Sequence, residues 1–150
     1  MANLAELYQQ VIVEHNRSPR NFKKLPAATH HAEGDNPLCG DRISLDVALD
    51  GVLIREIGFQ GSGCAISQAS ASLMTAAVQG KTRAEAERLF HAFHDMVTGG
   101  PDASADTAAI GKLAAFAGVR QFPARVKCAI LSWHTLHAAL AAEVRPVSTE

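Results

Sequence analysis

An α+β domain spanning residues 1–150, a small antiparallel sheet of about three strands packed against several helices, is the fold this sequence predicts. Three observations point to it. From Arg42 the apolar residues alternate with period two, Ile43, Leu45, Val47 and Leu49 being separated by Ser44, Asp46 and Ala48. Asp50-Gly51 follows directly, a dipeptide suited to a tight hairpin turn. On either side the apolar spacing becomes helical, so helices are expected to cover one face of the sheet.

Taken in order, Asn3 and Glu6 have the form of a capping box, and Leu4, Leu7, Tyr8, Val11 and Ile12 recur at helical spacing. They predict a first helix to about His15, ended by Asn16, Ser18, Pro19 and Asn21. A short strand around Thr29 to Glu33 is expected next, and Val52 to Phe59 reads as the strand returning from the hairpin turn. After Gly61-Ser62-Gly63-Cys64 the chain turns helical, with Ile66, Ala69, Leu73, Met74 and Ala77 on one face and Gly80 as a stop. Thr82 and Glu85 form a second capping box, and Leu89, Phe90, Phe93 and Met96 mark the buried side of that helix. Thr98 to Asp102 is a loop, and a shorter helix is expected from Asp106 to Ala117, before Gly118. Pro123 suits the first turn of a last helix, whose stripe is Val126, Ala129, Ile130, Trp133, Leu136 and Leu140. The polar tail from Arg145 is expected to fray. No internal repeat or linker divides the chain.

Composition narrows the function classes. Hydrophobic residues at 47% and charged residues at 19% argue against disorder. A net charge of -1 carries no electrostatic footprint for nucleic acid or an anionic membrane. With no membrane-spanning run and no signal-peptide pattern at the start, a cytoplasmic location is expected. In that compartment three cysteines are a poor basis for disulfides, which leaves buried thiols, metal ligands or reactive sulfur.

The surroundings of the cysteines decide between these. Cys39 and Asp41 are two apart in an extended segment and can address one point, with Gly40 allowing a close turn between them. Cys64 directly precedes a helix, where free N–H groups and the helix dipole favour the thiolate. Cys128 lies near the start of the last helix, beside Arg125 and Lys127, and the same dipole argument is applied to it. Three thiolates and a carboxylate make four donors, the number of a tetrahedral zinc site: Cys39, Asp41, Cys64 and Cys128. Such a shell leaves a net charge of about minus two, which Arg125 and Lys127 would offset. His30 and His31 are possible spare ligands, while His91/His94 and His134/His137, each spaced by three, read more readily as solvated or hydrogen-bonded side chains. No phosphate loop, Ser-His-Asp set or nucleophile elbow is present.

Three motifs then match a family in order. Asn36-Pro37-Leu38-Cys39-Gly40-Asp41, Gly61-Ser62-Gly63-Cys64-Ala65-Ile66-Ser67 with Ala69-Ser70 and Ser72, and Arg125-Val126-Lys127-Cys128-Ala129 resemble the SufU/IscU family. The opening helix through Pro19-Arg20-Asn21 fits as well, so the resemblance covers nearly the whole chain. IscU-type members are cluster scaffolds with a histidine before the third cysteine, a position held here by Lys127. Lys127, together with the longer Thr98 to Gly111 segment, resembles the SufU type.

The resemblance implies a SufU/IscU-like fold and a zinc-dependent sulfurtransferase of iron–sulfur cluster assembly. Its expected partners are a SufS-type pyridoxal-phosphate cysteine desulfurase and downstream Suf cluster-assembly proteins. In that family a desulfurase histidine replaces one cysteine on the zinc. Carried over, the freed residue is Cys39, which accepts sulfur as a persulfide, while Asp41, Cys64 and Cys128 keep the metal. Arg125 would dock the partner or balance charge. The alternative is an IscU-type scaffold carrying an iron–sulfur cluster on the three cysteines, with no catalysis; a purely structural zinc module is a third reading.

Overall fold

A computed structural model describes residues 4–98, 110–142 and 147–148. Helix α1 (Leu4–Arg17) is followed by strands β1 (His30–Asn36), β2 (Asp41–Asp50) and β3 (Leu53–Ser62). Helices α2 (Ala65–Val78) and α3 (Arg83–Thr98), a 3-10 helical segment (Gly111–Gln121), helix α4 (Pro123–Leu140) and strand β4 (Val147–Ser148) complete it. The sheet order is β3-β2-β1-β4. The α+β prediction holds, with one strand more than expected. Val147 and Ser148 pair in parallel with Gly34 and Asp35, so part of the tail predicted to fray is sheet and the sheet is mixed.

The period-two segment is β2. It pairs with β3 from Arg42↔Ser62 to Asp50↔Leu53, with an irregularity between Ala48 and Leu49, and with β1 from His30↔Val47 to Asn36↔Asp41. Ile43, Leu45 and Val47 turn inward with Ile54, Ile57 and Phe59 and are buried under the helices. Phe93 stacks on Trp133 with ring centroids 5.0 Å apart and meets Phe116 edge-on at 5.8 Å, joining α3, α4 and the 3-10 segment.

Helix α4 differs from the amphipathic stripe predicted. Beyond that stripe, Leu131, Ser132, Thr135, Ala138 and Ala139 are buried too, so α4 is the central helix of the fold. Small side chains make this possible, because neighbours approach closely and the buried hydroxyls of Ser70 and Thr135 are paired, although the Trp133 Nε1 of α4 is buried with no partner among the described residues. Ser70 Oγ of α2 donates to the Ala129 carbonyl at 2.5 Å, and Thr135 Oγ1 donates to the Leu131 carbonyl at 2.8 Å. A Cβ on Gly34 would fall on Thr135 Oγ1, so α4 lies almost on the backbone of β1.

Local signals mostly resolve as read. Thr82 and Glu85 form the reciprocal capping box, Thr82 N–H donating to Glu85 Oε1 at 3.1 Å and Glu85 N–H to Thr82 Oγ1 at 3.2 Å. Asn3, the loop after Thr98 and residues 106–109 lie outside the described residues. The described part of the shorter helix is 3-10 and passes Gly118 to Gln121 instead of stopping at Ala117.

The outer edge of β3 is taken up by neighbouring chain. Ile54 N–H donates to the Lys81 carbonyl and Gly80 N–H to the Ile54 carbonyl, each at 2.8 Å. Further along, Phe59 N–H donates to the Asn21 carbonyl at 3.0 Å and Ile57 N–H to Gln79 Oε1 at 3.4 Å. Among the described residues no helix is long and apolar enough to cross a membrane.

Candidate metal centre

One end of the sheet gathers the predicted ligands. The β1–β2 loop, Pro37 to Gly40, carries Cys39, and Asp41 opens β2 opposite Asn36. β3 ends beside this turn, since Ser62 pairs with Arg42, and two residues later Cys64 is the N-cap of α2. Helix α4 brings Cys128 from above.

Side-chain donor atoms of Cys39, Asp41 and Cys128 lie within 4.8 Å of one another. Cys39 is half-buried, whereas Asp41 and Cys128 have no exposed surface. Cys64 stands outside that tightest triad yet belongs to the same constellation. Its backbone N–H donates to Asp41 Oδ1 at 2.9 Å, and its thiol interacts with Cys128.

Gly63 makes this approach possible. Its φ of 153° is one that side-chain-bearing residues rarely adopt, and a Cβ there would overlap Asp41 Oδ1. Gly40, at φ 72°, turns the loop as its sequence position suggested.

Of the two cysteines expected at helix starts, only Cys64 occupies an N-cap. Cys128 is the sixth residue of α4, in its second turn, and its Sγ contacts the Ala124 carbonyl at 3.6 Å, so the free N–H groups of the helix start lie elsewhere. Burial first, then hydrogen bonds with the Asp41, Cys39 and Cys64 side chains, push the Cys128 thiol well above its ordinary value. A cation at this point would favour the thiolate by replacing the proton. Two converging sulfurs, a buried carboxylate and a third sulfur alongside fit a divalent, borderline-soft metal ion.

Arg125 is exposed on the first turn of α4 and bonds the Cys128 side chain. That bond, then the charges of Cys64, Cys128 and Cys39, raise its pKa above the ordinary arginine value. Its guanidinium thus sets a positive charge against the sulfurs. Lys127 is half-buried one residue before Cys128.

The histidines serve elsewhere. His31 Nδ1 lies 2.6 Å from Asp46 Oδ1, and His30 Nδ1 lies 2.9 Å from Thr29 Oγ1. Both sit at the far end of β1, roughly 16–20 Å along the strand from the site. His91, His94, His134 and His137 surround Phe90 with ring centroids 5.3 to 6.2 Å away. Among the described residues they form no group of three converging donors.

Asn36 was not singled out as a site residue in the sequence. It is buried, and its Nδ2 donates to Asp41 Oδ2 at 3.1 Å and to Cys128 Sγ at 3.4 Å. The available signal was an asparagine closing a strand directly before a proline, a residue type that strands disfavour.

Comparison with known proteins agrees with this geometry. Residues 7–129 match the NifU-like N-terminal domain. The zinc-dependent sulfurtransferase SufU of Bacillus subtilis is 45% identical over 143 residues, 95% of each chain. The iron–sulfur cluster assembly scaffold protein IscU of Streptococcus pyogenes is 39% identical over 140 residues, 93% of this chain and 86% of that one. A Fervidobacterium islandicum protein, described as a candidate iron–sulfur cluster assembly scaffold for the SUF system, superposes with a TM-score of 0.83. It is 34% identical and covers 92% of this chain and 99% of its own. With the three cysteine motifs, the mixed sheet and the converging donors in hand, the chain belongs to the NifU-like N-terminal domain family, on the side that is similar to SufU.

Proposed function

We propose that this chain is a zinc-dependent sulfur acceptor and transfer protein. It would take persulfide sulfur from a SufS-type cysteine desulfurase and pass it to downstream Suf cluster-assembly proteins. One observation carries the reading: three converging donors differ in exposure, Cys39 being half-buried while Asp41 and Cys128 are sealed. A purely structural site has no use for that division.

Cys39, Asp41, Cys64 and Cys128 would hold the zinc, whose charge favours the thiolate form of its cysteine ligands at neutral pH. Cys39 rides on the hairpin loop, tied back by its N–H to the Asn36 carbonyl at 3.2 Å, and is the half-buried member of the converging three. Its thiolate attacks the terminal sulfur of the desulfurase persulfide. The S–S bond of the partner breaks, the desulfurase cysteine leaves as a thiolate, and a new S–S bond forms on Cys39 with no net oxidation. Arg125 offers its exposed guanidinium to the incoming anionic persulfide.

The similarity to the Bacillus sulfurtransferase and the presence of Lys127 support transfer. The similarity to the Streptococcus protein, described as a scaffold, supports a second reading in which a cluster is built on the three cysteines. Metal content and desulfurase stimulation, measured together, separate them. Transfer predicts about one zinc per chain and a stimulation that Cys39→Ala abolishes. Full stimulation by a zinc-bearing Cys39→Ala protein overturns the acceptor role. A stable, transferable cluster after anaerobic reconstitution moves the reading to the scaffold.

A further inference from the structure

Asn36 ends β1 with no exposed surface, and a side-chain amide is costly to bury unless it finds partners. Its Nδ2 finds two, each from a different element: Asp41 Oδ2 at the start of β2 and Cys128 Sγ on α4. Both are acceptors, so the nitrogen and not the oxygen of the amide must face them. That orientation leaves Asn36 Oδ1 buried with no partner among the described residues. The amide therefore gives up satisfaction at one end to make both contacts at the other. Nothing in the persulfide chemistry above uses it.

We infer that Asn36 is a positioning residue of the metal centre, holding the Asp41 carboxylate and the Cys128 sulfur in register before the cation arrives. The inference rests on the reading that this site holds zinc. A carboxylate and a sulfur that ionises on metal binding would repel each other at this distance, and an N–H group shared between them offsets that repulsion while fixing their directions. Gly63 and the Cys64 N–H restrain Asp41 from the other side, so the carboxylate is held at both oxygens. Arg125 also bonds Cys128, but from α4 itself, so among the described N–H donors Asn36 is the one that ties α4 to the strand donors.

The test compares native protein with Asn36→Asp, which keeps the shape but replaces the donor by a carboxylate, and Asn36→Ala, which removes the amide without adding charge. Circular dichroism of the zinc-free proteins first establishes which variants fold. Zinc affinity is then measured by competition with a chromogenic chelator, and cobalt(II) is loaded to record thiolate charge-transfer and d–d bands. Loss of a supporting hydrogen bond weakens zinc about 10- to 100-fold. The expected result is that loss in each folded variant, with shifted cobalt bands in both. Folded variants that bind zinc within about threefold of native, with superimposable cobalt spectra, overturn the inference and leave the proposed function standing. If native protein binds no zinc, the proposed function fails and this inference goes with it.

Discussion

The backbone N–H of Cys64 donates to Asp41 Oδ1 at 2.9 Å, joining the N-cap of α2 to the first residue of β2. Cys64 makes no side-chain cap of its own, so a carboxylate from another element sits where the helix N-terminus favours negative charge. Asp41 therefore has structural work beside its role as a donor.

Replacing Asp41 by Ala leaves the Cys64 N–H and the Asn36 amide without this acceptor. We expect zinc-free protein to lose about 1–3 kcal/mol in urea unfolding. Asp41→Asn, which still accepts at Oδ1 but turns an NH2 toward the Asn36 amide, should recover only part of that stability while binding zinc more weakly. Equal destabilisation by both would show that the carboxylate charge, not the hydrogen bond, carries the effect.

Gly63→Ala tests the close approach from the opposite side. The added methyl meets Asp41 at a φ of 153°, so strain and displacement act together. A loss of about 1–3 kcal/mol is expected, accompanied by reduced zinc content after purification. Native-like zinc content and stability would mean that the α2 entry can shift without cost.

Thr82→Ala removes one arm of the α3 capping box, far from the cysteines. It should cost about 1 kcal/mol and lower the melting temperature by about 2–4 °C in a chain of this size. Zinc stoichiometry and desulfurase stimulation should not change, which makes it a control for general destabilisation.

Acid should weaken the fold through two histidines. Burial, then Arg20, holds His15 below the usual histidine value of 6.5, and burial, then His94 and His137, does the same for His134. The unfolded chain then binds more protons than the folded one, so stability is flat above the usual value and falls as pH drops through it. Each histidine contributes a slope of up to about 1.4 kcal/mol per pH unit. His15→Gln should flatten the variant's own stability curve between pH 7.5 and 5, so that the native-minus-variant difference falls as pH drops. An unchanged slope would remove His15 from the account.

Legibility in the sequence followed how directly a pattern reports a physical constraint. The β2–β3 hairpin and the Thr82/Glu85 box were readable because alternation and capping are local. β4 was not, since two residues paired across 113 positions of chain leave no periodic trace (Gly34 to Val147). The full burial of α4 escaped because Ala, Ser and Thr suit either environment until a neighbour such as Ser70 closes on them. At the site, the residues the structure brings together, Cys39, Asp41 and Cys128 with Cys64 alongside, were legible from residue type and motif order. Their inequality was not: the depth of Cys128 and the bridging amide of Asn36 depend on how α4 crosses the sheet, and no spacing within one segment encodes that.

The covered edge of β3 bears on behaviour outside the folded state. Unpaired strand edges invite other chains to add on, and here residues 79–83 and Asn21 already occupy much of that template. A partner has no continuous backbone ladder to extend there and must recognise side chains instead. Along Ile54 and Ile57 the protection lasts only while the turn between α2 and α3 stays docked, Asn21 covering Phe59 separately. Heating that releases this turn before the sheet melts would bare that stretch of the β3 edge, so insolubility on warming should track the loosening of one short connection and not global unfolding.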